Sequence, residues 1–110
     1  MAHATPDVVR KQLYLSHFGE PICDVDSPAW FDWLQTATTF RYHSQSRRII
    51  IHGHGPTLDP ISVRKERRRR GALWYAYRRS FGVLHKRYVG KTEAVTLAQL
   101  EKIAVVLNEI

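Results

Sequence analysis

The chain has 110 residues, 44% of them hydrophobic, and a formal net charge of +7 at pH 7. This length supplies one modest core, so we expect a single domain over residues 1–110. The longest aliphatic run, residues 49–51, is far shorter than the ~20 apolar residues of a membrane span, and no secretory signal is evident. The single cysteine, Cys23, excludes an internal disulfide and a zinc finger. We therefore expect a cytoplasmic protein with no membrane contact, no metal and no cofactor.

Residues 1–26 are predicted to form a short helix or a disordered arm. Thr5 is a candidate N-cap, Pro6 a first-turn proline and Asp7 a first-turn acid. A second helix is predicted to begin at Ser27-Pro28 by the same logic. Its apolar residues recur at helical spacing and predict an aromatic wedge packed against the core: Trp30, Phe31, Trp33, Leu34 and Ala37.

The rest of the segment 27–60 has the texture of strands. Residues 39–43 alternate β-branched or aromatic with polar residues, and residues 48–52 hold three consecutive isoleucines, which predicts a strand or hairpin in each. Residues 52–56 hold two glycines and a proline, which predicts a loop or a strand end.

Residues 61–110 are predicted to form three antiparallel strands, at 61–67, 73–79 and 83–89, followed by a helix. A two-residue turn at Phe81-Gly82 would produce two sets of pairs. On one face lie Tyr75–Tyr88, Tyr77–Lys86 and Arg79–Leu84, and on the other Trp74–Val89, Ala76–Arg87 and Arg78–His85. The first face is the more apolar, which favours it as the core side and leaves Trp74, Arg78, His85 and Arg87 outward.

The C-terminal helix begins with Thr96 as N-cap and Gln99 completing a capping box. Its apolar stripe consists of Leu97, Leu100, Ile103, Ala104, Leu107 and Ile110. The predicted fold is therefore α+β: a small antiparallel sheet of three main strands, extended by up to two more, and backed by this helix. The other face of the sheet is left free for a partner.

Positive charge is concentrated in this same segment. Eleven of the seventeen lysines and arginines lie in residues 62–91, which hold one acid, Glu66. Such a field indicates a nucleic-acid-binding surface. The candidate contacts are Arg64, Lys65, Arg67, Arg68, Arg69, Arg70, Trp74, Tyr75, Tyr77, Arg78, Arg79, His85, Lys86, Arg87, Tyr88 and Lys91.

Residues 63–67, 74–79, 85–91 and 97–100 carry a family resemblance. With residues 28–34 and 37–41, they resemble a segment of short uncharacterised bacterial proteins that is similar to segments attached to LuxR/MalT-like transcriptional regulators. The likeness covers about residues 27–107. It implies a bacterial protein in transcription regulation or a mobile element, without a settled activity.

A looser resemblance is to the AP2 and integrase arm-binding domains. The order of elements matches, and residues 88–92 resemble the aromatic, aliphatic, glycine exit of that family, although the four-arginine run 67–70 is unusual. This resemblance implies that the sheet face away from the helix reads a DNA major groove. Aligning the terminal glycine selects Tyr75, Tyr77, Lys86 and Tyr88, whereas apolar content selects the other face, and both sets stay open.

The ligand is predicted to be duplex DNA, with RNA or single-stranded DNA as the alternative. Residues 67–70 would follow the phosphate backbone, and a strand arginine could contact guanine O6 and N7. The tyrosines could instead stack on unpaired bases.

Two other classes of function compete with nucleic-acid binding. His52 and His54 beside a strand resemble the histidine pair of HUH-type nucleases, with His43 or Asp59 as a third metal ligand, but glycine separates the pair and the tyrosines lie on predicted strands. We expect no catalytic residues. A protein-interaction module would use the Trp30, Phe31 and Trp33 cluster or the C-terminal helix, for example in a homodimer.

Overall fold

The structure is a computed structural model that describes residues 5–16, 19–69 and 71–110. Nine strands, two α-helices and one 3-10 helix follow each other along these residues. They are β1 (Asp7–Val9), β2 (Gln12–Tyr14), β3 (Cys23–Asp24), α1 (Pro28–Thr36), β4 (Thr39–Tyr42), β5 (Arg47–Ile50), β6 (Gly53–Thr57), β7 (Ile61–Arg68), β8 (Gly71–Ser80), β9 (Val83–Gly90), the 3-10 helix (Thr92–Ala94) and α2 (Leu97–Asn108).

Seven of these strands form one sheet in the order β3-β2-β1-β4-β7-β8-β9, and β5 and β6 form a separate hairpin. The predicted α+β class is confirmed, and α2 packs against β8 and β9. The three main strands are extended by four others rather than by one or two. The sheet is also mixed rather than antiparallel, because β1 pairs in parallel with β4.

The N-terminal segment forms strands, so the predicted helix or disordered arm is wrong for the residues described. β1 and β2 pair through Val8 and Leu13, which are both fully buried. Arg10 and Lys11 have φ values of 50° and 68°, the left-handed conformation of a two-residue hairpin turn. The helix signal at Pro6 is a weak local preference, and burial in the sheet outweighs it. Residues 1–4 and 17–18 lie outside the described residues.

The sequence predicts a loop or a strand end at residues 52–56. His52 lies in the β5–β6 turn, but residues 53–57 form β6, so the loop is wrong from Gly53 onward. β6 pairs antiparallel with β5, with Ile50 opposite Gly53. Gly53 has a φ of 141°, which glycine adopts without a Cβ clash. Pro56 is tolerated because each strand of a two-stranded ribbon has an unpaired edge, where no N–H donor is required.

The N-caps predicted at Ser27 and Thr96 are confirmed, whereas the one predicted at Thr5 precedes a strand and caps no helix. Ser27 Oγ accepts a hydrogen bond from the backbone N–H of Trp30 at 3.2 Å, and Thr96 Oγ1 accepts one from that of Gln99 at 3.3 Å. The second half of the predicted capping box is absent, because the Gln99 amide donates to the carbonyl of Val89 at 3.1 Å. The first turn of α2 is thereby tied to the end of β9.

The β8–β9 hairpin has the predicted turn and nearly all of the predicted register. A bulge places Trp74 opposite Gly90 rather than Val89. Gly90 has a φ of 138°, and a Cβ there would lie 2.7 Å from the Cβ of Ala94, so glycine is needed at this exit. The pairs that follow the prediction are Tyr75–Tyr88, Ala76–Arg87, Tyr77–Lys86, Arg78–His85 and Arg79–Leu84.

The core lies on the face of the hairpin opposite to that favoured by apolar content. Trp74 and Ala76 are fully buried, whereas Tyr88 is 53% exposed. The prediction treated the tyrosine rings as apolar and so placed them in the core. Their hydroxyls need polar partners, which favours the solvent-exposed face instead. Trp74 can be buried because its indole N–H donates to Thr92 Oγ1 at 3.2 Å.

Aromatic rings join α1 to the sheet, as predicted from the apolar residues of this helix. Trp30 lies 5.3 Å from Phe40 between ring centroids, and Phe40 lies 5.7 Å from Trp74. The buried indole N–H of Trp30 donates to the carbonyl of Val95 at 2.8 Å. Among the predicted stripe of α2, Ile110 departs from the prediction because it is 41% exposed. Val105 and Val106 are half-buried.

Candidate nucleic-acid interface

The three long strands β7, β8 and β9 turn one face toward α2 and the other away from it. Along each strand, side chains alternate between the two faces, and the pairing places Arg64 beside Tyr75 and Tyr77 beside Lys86. Neither helix of the described chain lies against this second face, which we call the open face. Its members are Arg64, Glu66, Arg68, Leu73, Tyr75, Tyr77, Arg79, Leu84, Lys86 and Tyr88.

Cationic side chains lie over tyrosine rings on the open face. Lys86 Nζ is 4.2 Å from the ring centroid of Tyr75, and the guanidinium of Arg68 is 5.4 Å from the same centroid. The rings of Tyr75 and Tyr88 are 5.5 Å apart with an interplanar angle of 58°. Since exposed cation–π contacts contribute only ~0.5–1 kcal/mol, these cations can turn toward a ligand at low cost.

Glu66 is the centre of the polar contacts on the open face. It accepts a hydrogen bond from the hydroxyl of Tyr77 and forms ion pairs of 3.0 Å with both Arg68 and Lys86. The hydrogen bond from Tyr77, followed by that from Lys86, lowers the pKa of the Glu66 carboxyl. The same hydrogen bond to Glu66 raises the pKa of Lys86, so this amine stays charged. The cluster preorganises two cations around one acid.

The arginine run extends from the open face into the turn between β7 and β8. Arg67 and Arg68 end β7, Arg69 follows in the turn, and all three are exposed. Arg68 lies on the open face, whereas Arg67 lies on the opposite face with Lys65 and Trp74. Arg70 lies outside the described residues. Arg79 is exposed at the other end of β8 and donates to the carbonyl of Gly82 at 3.0 Å. Cations therefore stand at both ends of the open face.

A shallow recess lies on the open face beside the β8–β9 turn. Its volume is about 330 Å³, and it is lined by Pro60, Ser62, Arg64, Tyr77, Arg78, Arg79 and Leu84, among which Arg64 and Arg79 are the exposed arginines. Two exposed arginines therefore flank one concave surface, an arrangement that suits a phosphate group.

Three candidate residues hold the fold together and do not belong to this surface. Trp74 is fully buried. Lys65 donates to the carbonyls of Leu34 at 2.7 Å and Gln35 at 3.1 Å, which caps the end of α1, and burial lowers its pKa. Arg78 is only 10% exposed in its side chain. These three residues are removed from the predicted contact set for this reason.

Arg78 joins β8 to the end of α2. Its guanidinium donates to the carbonyl of Leu107 at 3.1 Å and to Asp59 Oδ2 at 2.6 Å. The hydrogen bond from Arg78 lowers the pKa of the Asp59 carboxyl, with Arg48 adding to the effect at 3.1 Å. An arginine that bonds a helix-end carbonyl is a structural element, which explains why it lies on the core side.

The remaining candidates lie along β9 and beyond it. His85 is half-buried and Arg87 is exposed, and both are on the α2 side of the strand. Lys91 is exposed just after β9. They lie at a sheet edge, next to the open face but not on it.

Sequence reasoning missed the role of Glu66 and the exposure of Phe81. Glu66 stands two residues from Arg64 and from Arg68 in a predicted strand, so the alternation of side chains could have placed all three on one face. Phe81 was treated only as a turn residue, yet it is 100% exposed.

The histidine pair does not gain support as a metal site. His52 is exposed in the β5–β6 turn, and His54 belongs to β6. Within the described part of the chain, no group of three or more histidine, cysteine, aspartate or glutamate residues is placed to hold a metal ion. In that same part, neither helix is both long and apolar enough to span a membrane.

No protein-family model, no curated protein and no solved structure matches this chain.

Proposed function

We propose that the protein binds nucleic acid, with duplex DNA as its ligand, through the open face and the arginine run. The observation that carries the proposal is that a helix-free sheet face holds exposed cations and half-exposed tyrosines together. Such a face offers phosphate contacts and base contacts on one rigid platform. The resemblance to AP2 and integrase arm-binding domains supports the same face.

The exposed cations divide into two roles. Arg68 and Arg69 at the end of the face, with Arg67 beside them on the helix side of β7, would contact phosphates and position the duplex. Arg64 and Arg79 project from strands beside the recess, where each guanidinium would contact a phosphate and could also reach guanine O6 and N7 in the major groove. Lys86 adds a further cation between the tyrosines. Neutralising about six phosphates predicts a log–log salt slope of about −5.

A second candidate ligand is single-stranded nucleic acid, DNA or RNA. The half-exposed ring of Tyr75 and the exposed ring of Tyr88 lie side by side on the open face. Unpaired bases stack on such rings, at ~1–3 kcal/mol per base. This ligand would depend on Tyr75 and Tyr88, whereas a duplex would depend more on Arg64 and Arg79.

The wider role that we propose is regulation of transcription, or service to a mobile element, in the bacterial cytoplasm. This rests on the resemblance to segments attached to LuxR/MalT-like regulators. We propose no catalytic activity and no cofactor. A homodimer is compatible with this role.

The test is fluorescence anisotropy with random duplex DNA, single-stranded DNA and structured RNA, from low to physiological salt, with and without magnesium. The open-face variant replaces three cations by glutamine: Arg64→Gln, Arg79→Gln and Lys86→Gln. A matched control removes the same charge from exposed positions elsewhere: Arg10→Gln, Lys11→Gln and Lys102→Gln.

We expect the wild type to bind duplex DNA with a slope of about −5 and the open-face variant to retain a slope of about −2 to −3. The control should stay near the wild type. Equal losses of DNA affinity in the two variants would mean that net charge alone attracts DNA. Absence of binding by the wild type would refute the proposal. Preference for single strands would select the second candidate, and magnesium-dependent nicking would point to a nuclease.

A further inference from the structure

The turn of the β8–β9 hairpin carries an aromatic residue that neither the turn nor the core explains. Phe81 has a φ of 51° and Gly82 a φ of 80°, a conformation that favours asparagine, aspartate or glycine. A bulky residue with positive φ is uncommon. The Phe81 side chain is also 100% exposed, so it gains nothing from packing within the chain.

The other two-residue turn shows that this geometry does not require an aromatic ring. Arg10 and Lys11 occupy the turn between β1 and β2 with similar φ values, and both expose charged groups that water solvates. Phe81 exposes an apolar ring instead. The ring is therefore explained better by a contact with another molecule than by the fold.

The surroundings of Phe81 identify the chemistry of that molecule. Leu84 is 51% exposed beside the turn and lies opposite Arg79 on the open face. Leu84 and Arg79 also line the recess, so the recess reaches the strand ends on either side of this turn. An apolar tip followed by two cations is complementary to a molecule that has flat apolar rings inside and phosphates outside, which is the cross-section of duplex DNA.

We infer that Phe81 is a wedge that inserts between neighbouring base pairs of duplex DNA while Arg64 and Arg79 contact the flanking phosphates. The inference rests on the proposed function. Apolar side chains placed between base steps unstack them and kink the duplex, and a two-stranded ribbon is narrow enough to enter a groove. The protein would therefore bend its DNA and favour flexible pyrimidine–purine steps.

The test uses a variant that improves the turn while removing the wedge. Phe81→Asn places a residue suited to positive φ at the tip, so its thermal stability should equal or exceed that of the wild type. Phe81→Leu keeps an apolar wedge. The matched control, Ile51→Asn, removes a side chain that is 94% exposed at the β5–β6 turn.

Binding is measured by anisotropy with a short duplex, bending by energy transfer between dyes on its ends, and unstacking by 2-aminopurine fluorescence at the central step. The wild type, Phe81→Leu and Ile51→Asn should bend the duplex and increase the 2-aminopurine signal. Phe81→Asn should lose both effects and bind on the order of tenfold more weakly.

The outcomes separate this inference from the proposed function. A wild type that binds no duplex overturns both. A Phe81→Asn variant that binds and bends DNA like the wild type overturns the wedge and leaves the interface in place. If Phe81→Asn instead abolishes self-association seen by sedimentation, with DNA binding unchanged, the tip is a protein contact and the wedge is overturned.

Discussion

Arg78 and Arg79 are neighbours in β8 that point to opposite faces, which makes them a matched pair for separating stability from binding. Arg78 bonds the end of α2, whereas Arg79 is exposed on the open face. We expect Arg78→Met to lower the free energy of unfolding with little change in DNA affinity. We expect Arg79→Met to lower DNA affinity with little change in the free energy of unfolding. Methionine retains an apolar stem of similar length in both variants, so only the guanidinium is lost.

The expected loss of stability follows from the two contacts of Arg78. The hydrogen bond from a charged donor to the carbonyl of Leu107 contributes ~1.5–3 kcal/mol. The ion pair with Asp59 contributes ~0–1 kcal/mol because the Asp59 side chain is 58% exposed and retains Arg48. We therefore expect Arg78→Met to cost ~2–3 kcal/mol, or a fall in melting temperature on the order of 10–20 °C. Arg79→Met should stay within ~0.5 kcal/mol of the wild type.

The assays are chemical denaturation, anisotropy with duplex DNA at a temperature where both variants are folded, and an NMR titration of Asp59. Because the hydrogen bond from Arg78 lowers the pKa of Asp59, Arg78→Met should raise this pKa toward its ordinary value. Wild-type stability in Arg78→Met, or a greater loss of DNA affinity there than in Arg79→Met, would refute the assignment of the two faces.

Two further predictions concern the contacts of α2. Burial raises the pKa of Glu101, but hydrogen bonds from Tyr42, Ser44 and another hydroxyl outweigh it and lower this pKa. The ionised Glu101 therefore stabilises the fold above pH ~4.5, and this stabilisation is lost as the pH falls. Urea denaturation at pH 7 and pH 3.5 should therefore show a smaller acid loss in Glu101→Gln than in the wild type, and equal losses would contradict this. The Asn108 side chain accepts a hydrogen bond from the backbone N–H of Asp59 at 2.9 Å. Asn108→Ala should therefore lower the free energy of unfolding by ~2 kcal/mol, measured by urea denaturation at pH 7. A change below ~0.5 kcal/mol would show that this hydrogen bond does not stabilise the fold.

The elements that the sequence predicted correctly are those specified by local chemistry. Side-chain caps mark the starts of α1 and α2, and the turn at Phe81-Gly82 fixes the register of the β8–β9 hairpin. β1, β2 and β3 contain two or three residues each, and they join the main sheet only through a strand distant in sequence, as Val8 paired with Tyr42 shows. No window of local sequence contains that information, so a first-turn proline suggested a helix instead.

The faces of the sheet were harder to predict because the informative residues are amphipathic. Tyr75 and Tyr77 have large apolar rings, which favours burial, and hydroxyls that favour a wet surface. Arg78 has a charge that suggests exposure, but the carbonyl of Leu107 satisfies it at the end of α2. Both faces therefore stayed open in the sequence, where only the alignment of Gly90 with the AP2-like exit selected the tyrosine face. The structure shows why glycine is needed there, since a Cβ would lie 2.7 Å from the Cβ of Ala94.

Two structural roles could explain the basic residues of this sheet without a ligand. The position of each residue shows whether one of these roles applies to it. Charged side chains on an edge strand prevent unwanted pairing with other chains, which accounts for Lys86 and Arg87 on β9. A cation that bonds the carbonyls at a helix end supports the fold, which accounts for Lys65 and Arg78 but not for Arg79, whose carbonyl partner Gly82 is in an exposed turn. Arg64 fits neither explanation, because β7 is an interior strand and the guanidinium of Arg64 lies 5.4 Å from the ring centroid of Tyr77 on an uncovered face.

An exposed arginine at the middle of an uncovered sheet must lie over its neighbours or meet a ligand. The acid that could neutralise it, Glu66, is already paired with Arg68 and Lys86. The open face therefore carries positive charge that no contact among the described residues explains. This charge, on Arg64, lies beside the recess. A ligand that supplies phosphates next to flat apolar rings accounts for the arginine, the recess and the phenylalanine together.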